Sequence, residues 1–139
     1  MKIREYENSD EQDVIGLWSV CGLTVPWNDA AKDISRKLQE RRELFLIGEL
    51  EESIVASAMG GYEGYRGWAN YLAVSPLNRN QGFGVKIMNE IEACLLALGC
   101  PKINLMIRGP NEQVIKFYRS LGYTPDAAIC MGERLISDQ

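Results

Sequence analysis

The residues able to do chemistry are concentrated in two stretches. The first runs Trp68-Ala69-Asn70-Tyr71-Leu72-Ala73-Val74-Ser75-Pro76-Leu77-Asn78-Arg79-Asn80-Gln81-Gly82-Phe83-Gly84. It reads as a strand, a glycine-bearing turn and the start of a helix. The N–H groups that open a helix have no intrahelical acceptor, and the helix dipole makes that end attractive to an anion. Gly82 and Gly84 carry no Cβ, so a pyrophosphate can come close to the main chain there. Two glycines after a strand are also ordinary turn chemistry, so the pair alone decides nothing. Two competing phosphate motifs are excluded. A dinucleotide fingerprint needs a third Gly or Ala where Ile87 stands, and no Gly-Lys-Ser/Thr run marks a P-loop. The second stretch, Asn111 to Tyr123, carries the phenol of Tyr118. A phenol of pKa near 10 is protonated at neutral pH and can donate a proton; the bland alternative is an aromatic packed on the inward face of a helix.

Composition narrows the chemistry further. The chain contains no histidine, which removes Ser-His and Cys-His triads, histidine-ligated metals and imidazole acid–base catalysis together. The four cysteines, Cys21, Cys94, Cys100 and Cys130, form no CxxC pair, so neither a disulfide framework nor a metal site is expected. A net charge of −4 without a basic block argues against nucleic acid as a partner. The apolar runs Leu44–Ile47 and Ser53–Met59 fall far short of the ~20 residues of a membrane helix. The opening Lys2-Ile3-Arg4-Glu5-Tyr6 alternates like a strand and lacks the apolar core of a signal peptide. A cytoplasmic protein without membrane partners is expected. At 139 residues, 46% hydrophobic and 24% charged, residues 1–139 read as one globular domain.

The elements that must position these residues follow from periodicity and punctuation. Lys2–Tyr6 reads as a strand. Asn8-Ser9-Asp10-Glu11 caps a helix turning Val14, Leu17 and Trp18 inward, and a polar helix covers Ala30 to Arg41 with Ile34 and Leu38 on one face. Glu43–Leu50 and Ser53–Tyr62 read as a hairpin, the loop Gly60–Gly67 is rich in glycine and aromatics, and Trp68–Val74 is a strand stopped by Pro76. Ile87, Ile91, Cys94 or Leu95, and Leu98 recur at helical spacing up to Gly99 and Pro101. Ile103–Ile107 reads as a short strand, and Asn111–Leu121 as a helix with Val114, Phe117, Tyr118 and Leu121 on one side. One or two further strands are expected over Tyr123–Leu135. The order β-α-α-β-β-β-α-β-α-β(β) describes an α/β (α+β) protein: a mixed sheet with helices on both faces.

Together these residues resemble the GNAT N-acetyltransferase superfamily. Arg79-Asn80-Gln81-Gly82-Phe83-Gly84 matches its Arg/Gln-x-x-Gly-x-Gly/Ala signature, after the usual lead-in, here Leu72-Ala73-Val74-Ser75-Pro76. A second block, Asn111 followed by Phe117-Tyr118-Arg119-Ser120-Leu121-Gly122-Tyr123, stands at the family's separation, and the resemblance spans nearly the whole chain. The chain is most similar to small bacterial members near the ribosomal-protein alanine N-acetyltransferases. The resemblance implies the GNAT acyl-CoA N-acyltransferase fold and direct transfer of an acetyl group from acetyl-CoA to a primary amine, without a metal. It implies that Leu72, Ala73 and Val74 pair with the pantetheine arm, and that Arg79, Asn80, Gln81, Gly82, Phe83, Gly84 and Val85 hold the pyrophosphate. Asn111 would lie near the thiol end, and Tyr118 would be the general acid. The sheet would splay between Trp68–Val74 and Ile103–Ile107.

One position departs from the pattern. The ribosomal-protein enzymes carry a Glu two residues before an Arg in the fifth strand; here Met106 precedes Arg108, and a thioether cannot accept a proton. A lysine-like amine at pH 7 is neutral about once in 2,500 molecules, a handicap of about 4.6 kcal/mol, whereas an α-amine needs far less help. Glu63, or a water chain held by Asn70 or Tyr71, are the alternatives for a base. Trp27, Tyr62, Glu63 and Tyr65 are expected near the acceptor, as aromatics on loops often are; equally they are loop anchors. The acceptor is a peptide N-terminus, a polyamine or a small amine. A non-catalytic acyl-CoA-binding regulatory module is the alternative function, succinyl- or propionyl-CoA the alternative donor. A homodimer through exposed strand edges near the C-terminus is a further expectation.

Overall fold

The structure, a computed structural model, describes residues 1–109 and 111–139. A five-stranded sheet in chain order carries β1 (Lys2–Glu5), β2 (Phe45–Leu50), β3 (Ser53–Tyr62), β4 (Gly67–Val74) and β5 (Ile103–Leu105). The first four strands are antiparallel neighbours, and β5 joins β4 in parallel. Helices α1 (Glu11–Val20) and α2 (Ala30–Lys37) cover one face, α3 (Phe83–Ala97) and α4 (Glu112–Ser120) the other.

Each face is sealed by the periodicity of its helices. Ile87, Met88, Ile91 and Leu95 of α3 recur at helical spacing, and all four are buried against Leu44, Leu46, Ala58 and Ala69. Val14, Leu17 and Trp18 of α1 and Ile34 of α2 bury against Phe45, Ile47 and Met59 on the opposite face. Asp29 caps α2 by accepting from the Lys32 N–H at 3.1 Å, and Asn111 caps α4 from the Val114 N–H at 3.2 Å. None of these helices is long and apolar enough to cross a membrane.

Three expected bounds are corrected. Helix α2 stops at Lys37 rather than Arg41, because Arg41 turns left-handed (φ 51°) to open a short 3₁₀ turn over Arg42–Leu44, which also delays β2 to Phe45. Strand β5 ends at Leu105 rather than Ile107. The strand or strands expected over Tyr123–Leu135 are absent from the described residues. Pro125 lacks an N–H for a ladder, and a three-residue β5 offers little edge to pair with. The tail is held by side chains instead. Lys102 pairs with Asp126 at 2.9 Å, Arg36 pairs with Asp138 at 2.8 Å, and Asp138 also accepts from the Asp29 N–H at 3.1 Å. Its apolar residues Ile129, Met131 and Leu135 stay exposed.

Candidate active site

The parallel pairing of β4 with β5 covers only Gly67–Ile103, Trp68–Asn104 and Ala69–Leu105. Beyond Ala69 the two strands part, and the edge of Asn70–Val74 that would face a neighbour is left open. A cavity of about 1130 Å³ fills the gap, lined by Asn70, Tyr71 and Leu72 from β4, Met106 after β5, and Asn111 and Tyr118 from the α4 segment. Ala73 is buried, and the Val74 carbonyl is occupied, accepting from Arg79 Nε at 3.2 Å and from Cys21 Sγ at 3.4 Å.

The turn after β4 meets the requirements for an anion. Asn80 (φ 62°) and Gly82 (φ 80°) both take left-handed conformations, bending Arg79–Gly82 into the start of α3. The first bond of the helix runs from the Lys86 N–H to the Gly82 carbonyl at 3.0 Å. The N–H groups of Phe83, Gly84 and Val85 precede it and have no intrahelical acceptor. No atom lies within 4 Å of where a Gly82 Cβ would sit, so the space over the turn is open. Gly84 answers to another need: its Cβ would stand 3.1 Å from Phe117 Cζ, so its lack of a side chain lets α4 close against α3. The Arg79 guanidinium folds back on Val74 and Cys21, tying the turn to the strand.

Tyr118 is buried, with edge-on contacts to Phe117 and Tyr123, and among the described residues its hydroxyl has no hydrogen-bond partner. It lines the gap, so that hydroxyl is available to a ligand. Burial disfavours the phenolate and pushes its pKa up to about 12. Asn111 lines the cavity, and its side-chain oxygen accepts the capping bond, so its amide NH₂ is not used in the cap.

The expected acceptor residues are divided. Tyr62 ends β3, Glu63 and Tyr65 belong to the β3–β4 turn, and none of the three is among the residues lining the gap. Tyr62 donates to the Gly64 carbonyl at 2.9 Å, and the exposed Tyr65 ring lies 5.3 Å from the Arg66 guanidinium. Trp27 comes closer, with its ring 5.8 Å from the guanidinium of Arg108, which does line the gap. Met106 opens into the gap, its Sδ 3.0 Å from Cys130 Sγ in the tail.

Asp33 of α2 was not legible in advance. Its Oδ2 accepts from the Tyr71 hydroxyl at 2.7 Å, and both residues line the gap. Tyr71 sits on a bulge: Ser57 faces Ala73 and Met59 faces Asn70, so Tyr71 and Leu72 together oppose Ala58. The backbone of Tyr71 is left-handed (φ 50°), a conformation unusual for a bulky residue. Burial, the bond to Asp33 and that carboxylate's charge all raise its pKa well above the usual phenol value.

The GNAT acetyltransferase family model matches residues 6–123. The chain belongs to the GNAT acetyltransferase family. This GNAT chain is 48% identical over 139 residues to an acetyltransferase of Yersinia enterocolitica, with 100% of the chain and 99% of the relative covered. An aminoglycoside 6′-N-acetyltransferase of Acinetobacter haemolyticus shares its fold, with a TM-score of 0.76 at 14% identity and coverage of 98% of this chain and 99% of that one. So does AAC(6′)-Iy, solved with the bisubstrate analogue CoA-S-monomethyl-acetylneamine, with a TM-score of 0.77 at 15% identity and coverage of 96% and 97%. These matches carry the family and its acetyltransferase activity, and not the narrower likeness to the ribosomal-protein alanine enzymes.

Proposed function

We propose that residues 1–139 form one catalytic domain, acting in the cytoplasm, that transfers the acetyl group of acetyl-CoA to a primary amine by direct attack of nitrogen on the thioester. The observation that carries this reading is the gap between β4 and β5, where an open strand edge and a buried phenol line one cavity, with the start of α3 following β4 in the chain. Leu72 to Val74, apart from the occupied Val74 carbonyl, offer backbone to an extended amide-bearing arm, and the Phe83–Val85 N–H groups offer donors to a pyrophosphate. GNAT enzymes use acetyl-CoA, and a CoA-bearing analogue occupies the same fold in AAC(6′)-Iy.

Tyr118 is then the general acid. Attack on the thioester expels a thiolate whose conjugate acid, judged by cysteine, has a pKa of about 8.5. A phenol held near 12 is fully protonated at any working pH and donates to the developing sulfur charge. Asn111 lines the same cavity, with its amide NH₂ not used in the cap. Met106 at the fifth-strand position keeps a second reading open, an acyl-CoA-binding module without turnover. Thiol release from acetyl-CoA, measured against a panel of primary amines and peptides with the acylated product identified by mass spectrometry, separates the two. Amine-dependent release is the expected result; binding of acetyl-CoA without release by any amine would leave only the module.

A further inference from the structure

We infer that Tyr71 and Asp33 are the proton-accepting side of this site, receiving the proton that the acceptor amine loses as it is acetylated. The inference rests on the gap being the transfer site. Among the described residues lining the gap, Asp33 is the sole carboxylate, and it is engaged by a tyrosine that lines the gap as well. Tyr71 belongs to the sheet face covered by α1 and α2, Tyr118 to the face covered by α3 and α4. A thioester lying in the gap therefore has a proton donor on one side and a proton acceptor on the other.

Tyr71 is fixed at three points. Its carbonyl accepts from the Ser57 hydroxyl at 3.0 Å, and the fully buried Ser57 in turn accepts from Nε1 of the fully buried Trp18 at 2.9 Å. Its ring stacks on the Trp18 indole with centroids 3.9 Å apart and planes 12° apart. Its hydroxyl is held by Asp33. A left-handed bulge residue persists only where its surroundings over-determine it, and such strain gathers at functional positions. With its hydrogen committed to Asp33, the Tyr71 oxygen presents lone pairs rather than a donor to its remaining surroundings. The charges around the pair come from several elements. Arg36 on α2 lies 3.3 Å from Asp33 Oδ1 but is shared with Asp138; Lys37 lines the gap; Arg108 after β5 and Arg134 in the tail act on Tyr71 from the other side.

The step balances without another reagent. The amine nitrogen bonds to the acetyl carbonyl carbon and becomes strongly acidic. Its proton passes to Tyr71 Oη as the Tyr71 hydrogen passes to Asp33 Oδ2. The C–S bond then breaks, the thiolate takes the Tyr118 proton, and solvent restores both residues. This relay supplies the acceptor that Met106 cannot be.

The test is steady-state kinetics of Tyr71→Phe, Asp33→Asn and Asp33→Ala, with acetyl-CoA affinity measured on each. Both Tyr71→Phe and Asp33→Asn are expected to lower kcat by about 10²-fold while acetyl-CoA binding stays within about twofold. Added formate is expected to restore part of the kcat of Asp33→Ala, a rescue that a purely structural aspartate would not show. Asp33→Asn keeps the shape and can still accept from Tyr71, so it reports on charge alone. A kcat within about threefold of the parent, a loss confined to KM, or no response to formate would each overturn the assignment. If the parent protein itself neither binds acetyl-CoA nor releases thiol, the transfer reading fails instead.

Discussion

Ser57→Ala tests the buried chain that fixes Tyr71. The Ser57 side chain is fully buried, accepting from Trp18 Nε1 at 2.9 Å and donating to the Tyr71 carbonyl at 3.0 Å. Alanine removes one atom and creates almost no cavity, so the cost is electrostatic rather than one of packing. It strands a donor on Trp18, itself fully buried, and leaves the Tyr71 carbonyl without this bond. An orphaned buried polar group costs about 1–3 kcal/mol, so the pair costs about 3 kcal/mol after partial relaxation. For a chain of this length that lowers Tm by roughly 10 °C. Urea unfolding followed by tryptophan fluorescence measures the loss directly, with the exposed Ser53→Ala at the start of β3 as the neutral control. Because Tyr71 loses its anchor, kcat should fall as well while acetyl-CoA still binds. Destabilisation below about 0.5 kcal/mol, with kcat intact, would refute the reasoning that this chain holds the bulge.

Other substitutions probe the remaining parts. Tyr118→Phe should lower kcat by about 10²-fold with acetyl-CoA affinity unchanged, and unaltered turnover would remove Tyr118 from the mechanism. Because burial holds that phenol near 12, the parent enzyme should lose no activity to its ionisation up to about pH 10; an alkaline loss absent from Tyr118→Phe would contradict this. Gly82→Val forces a β-branched residue into a left-handed conformation (φ 80°) at about 1–2 kcal/mol and fills the open space over the turn, so acetyl-CoA affinity measured by calorimetry should fall by at least about tenfold. Unaltered affinity would move the pyrophosphate elsewhere. Arg4 grips Asp10 through Nη1 at 2.8 Å and Nη2 at 2.9 Å, and that bond chiefly lowers the Asp10 pKa below the usual carboxylate range. The lowered value means a contribution that is full above about pH 4 and lost as pH falls through the folded pKa. Asp10→Asn should therefore cost stability at pH 7 and narrow its gap from the parent in acid; a constant gap across that range would refute it.

Much of this architecture was legible because it rests on periodicity and punctuation. The i, i+4 spacing of Ile87, Ile91 and Leu95, the Gly99 stop and the glycines of the turn located α3 and its exposed donors. Two motif blocks located the open strand edge, Tyr118 and Asn111 in the one gap they are now seen to share. The tail over Tyr123–Leu135 forms no strand among the described residues, since Pro125 and the short β5 leave it no ladder to join. Gly84 meets a second demand that the motif did not reveal, the close approach of the Phe117 ring. Glu63 was weighed as a base by type alone, and the hairpin carries it away from the gap. Asp33 could not be found at all. It lies 38 residues from Tyr71, on a polar helix with no motif, and meets it only through the bulge and the packing of α2.

The most direct test of the central claim is calorimetric titration of the protein with acetyl-CoA and with CoA, run alongside Gly82→Val. Saturable binding of both by the parent, weakened by at least about tenfold in the variant, is predicted by the gap and its cradle. Absence of binding by the parent would contradict the proposal that this chain is an acetyl-CoA-dependent transferase.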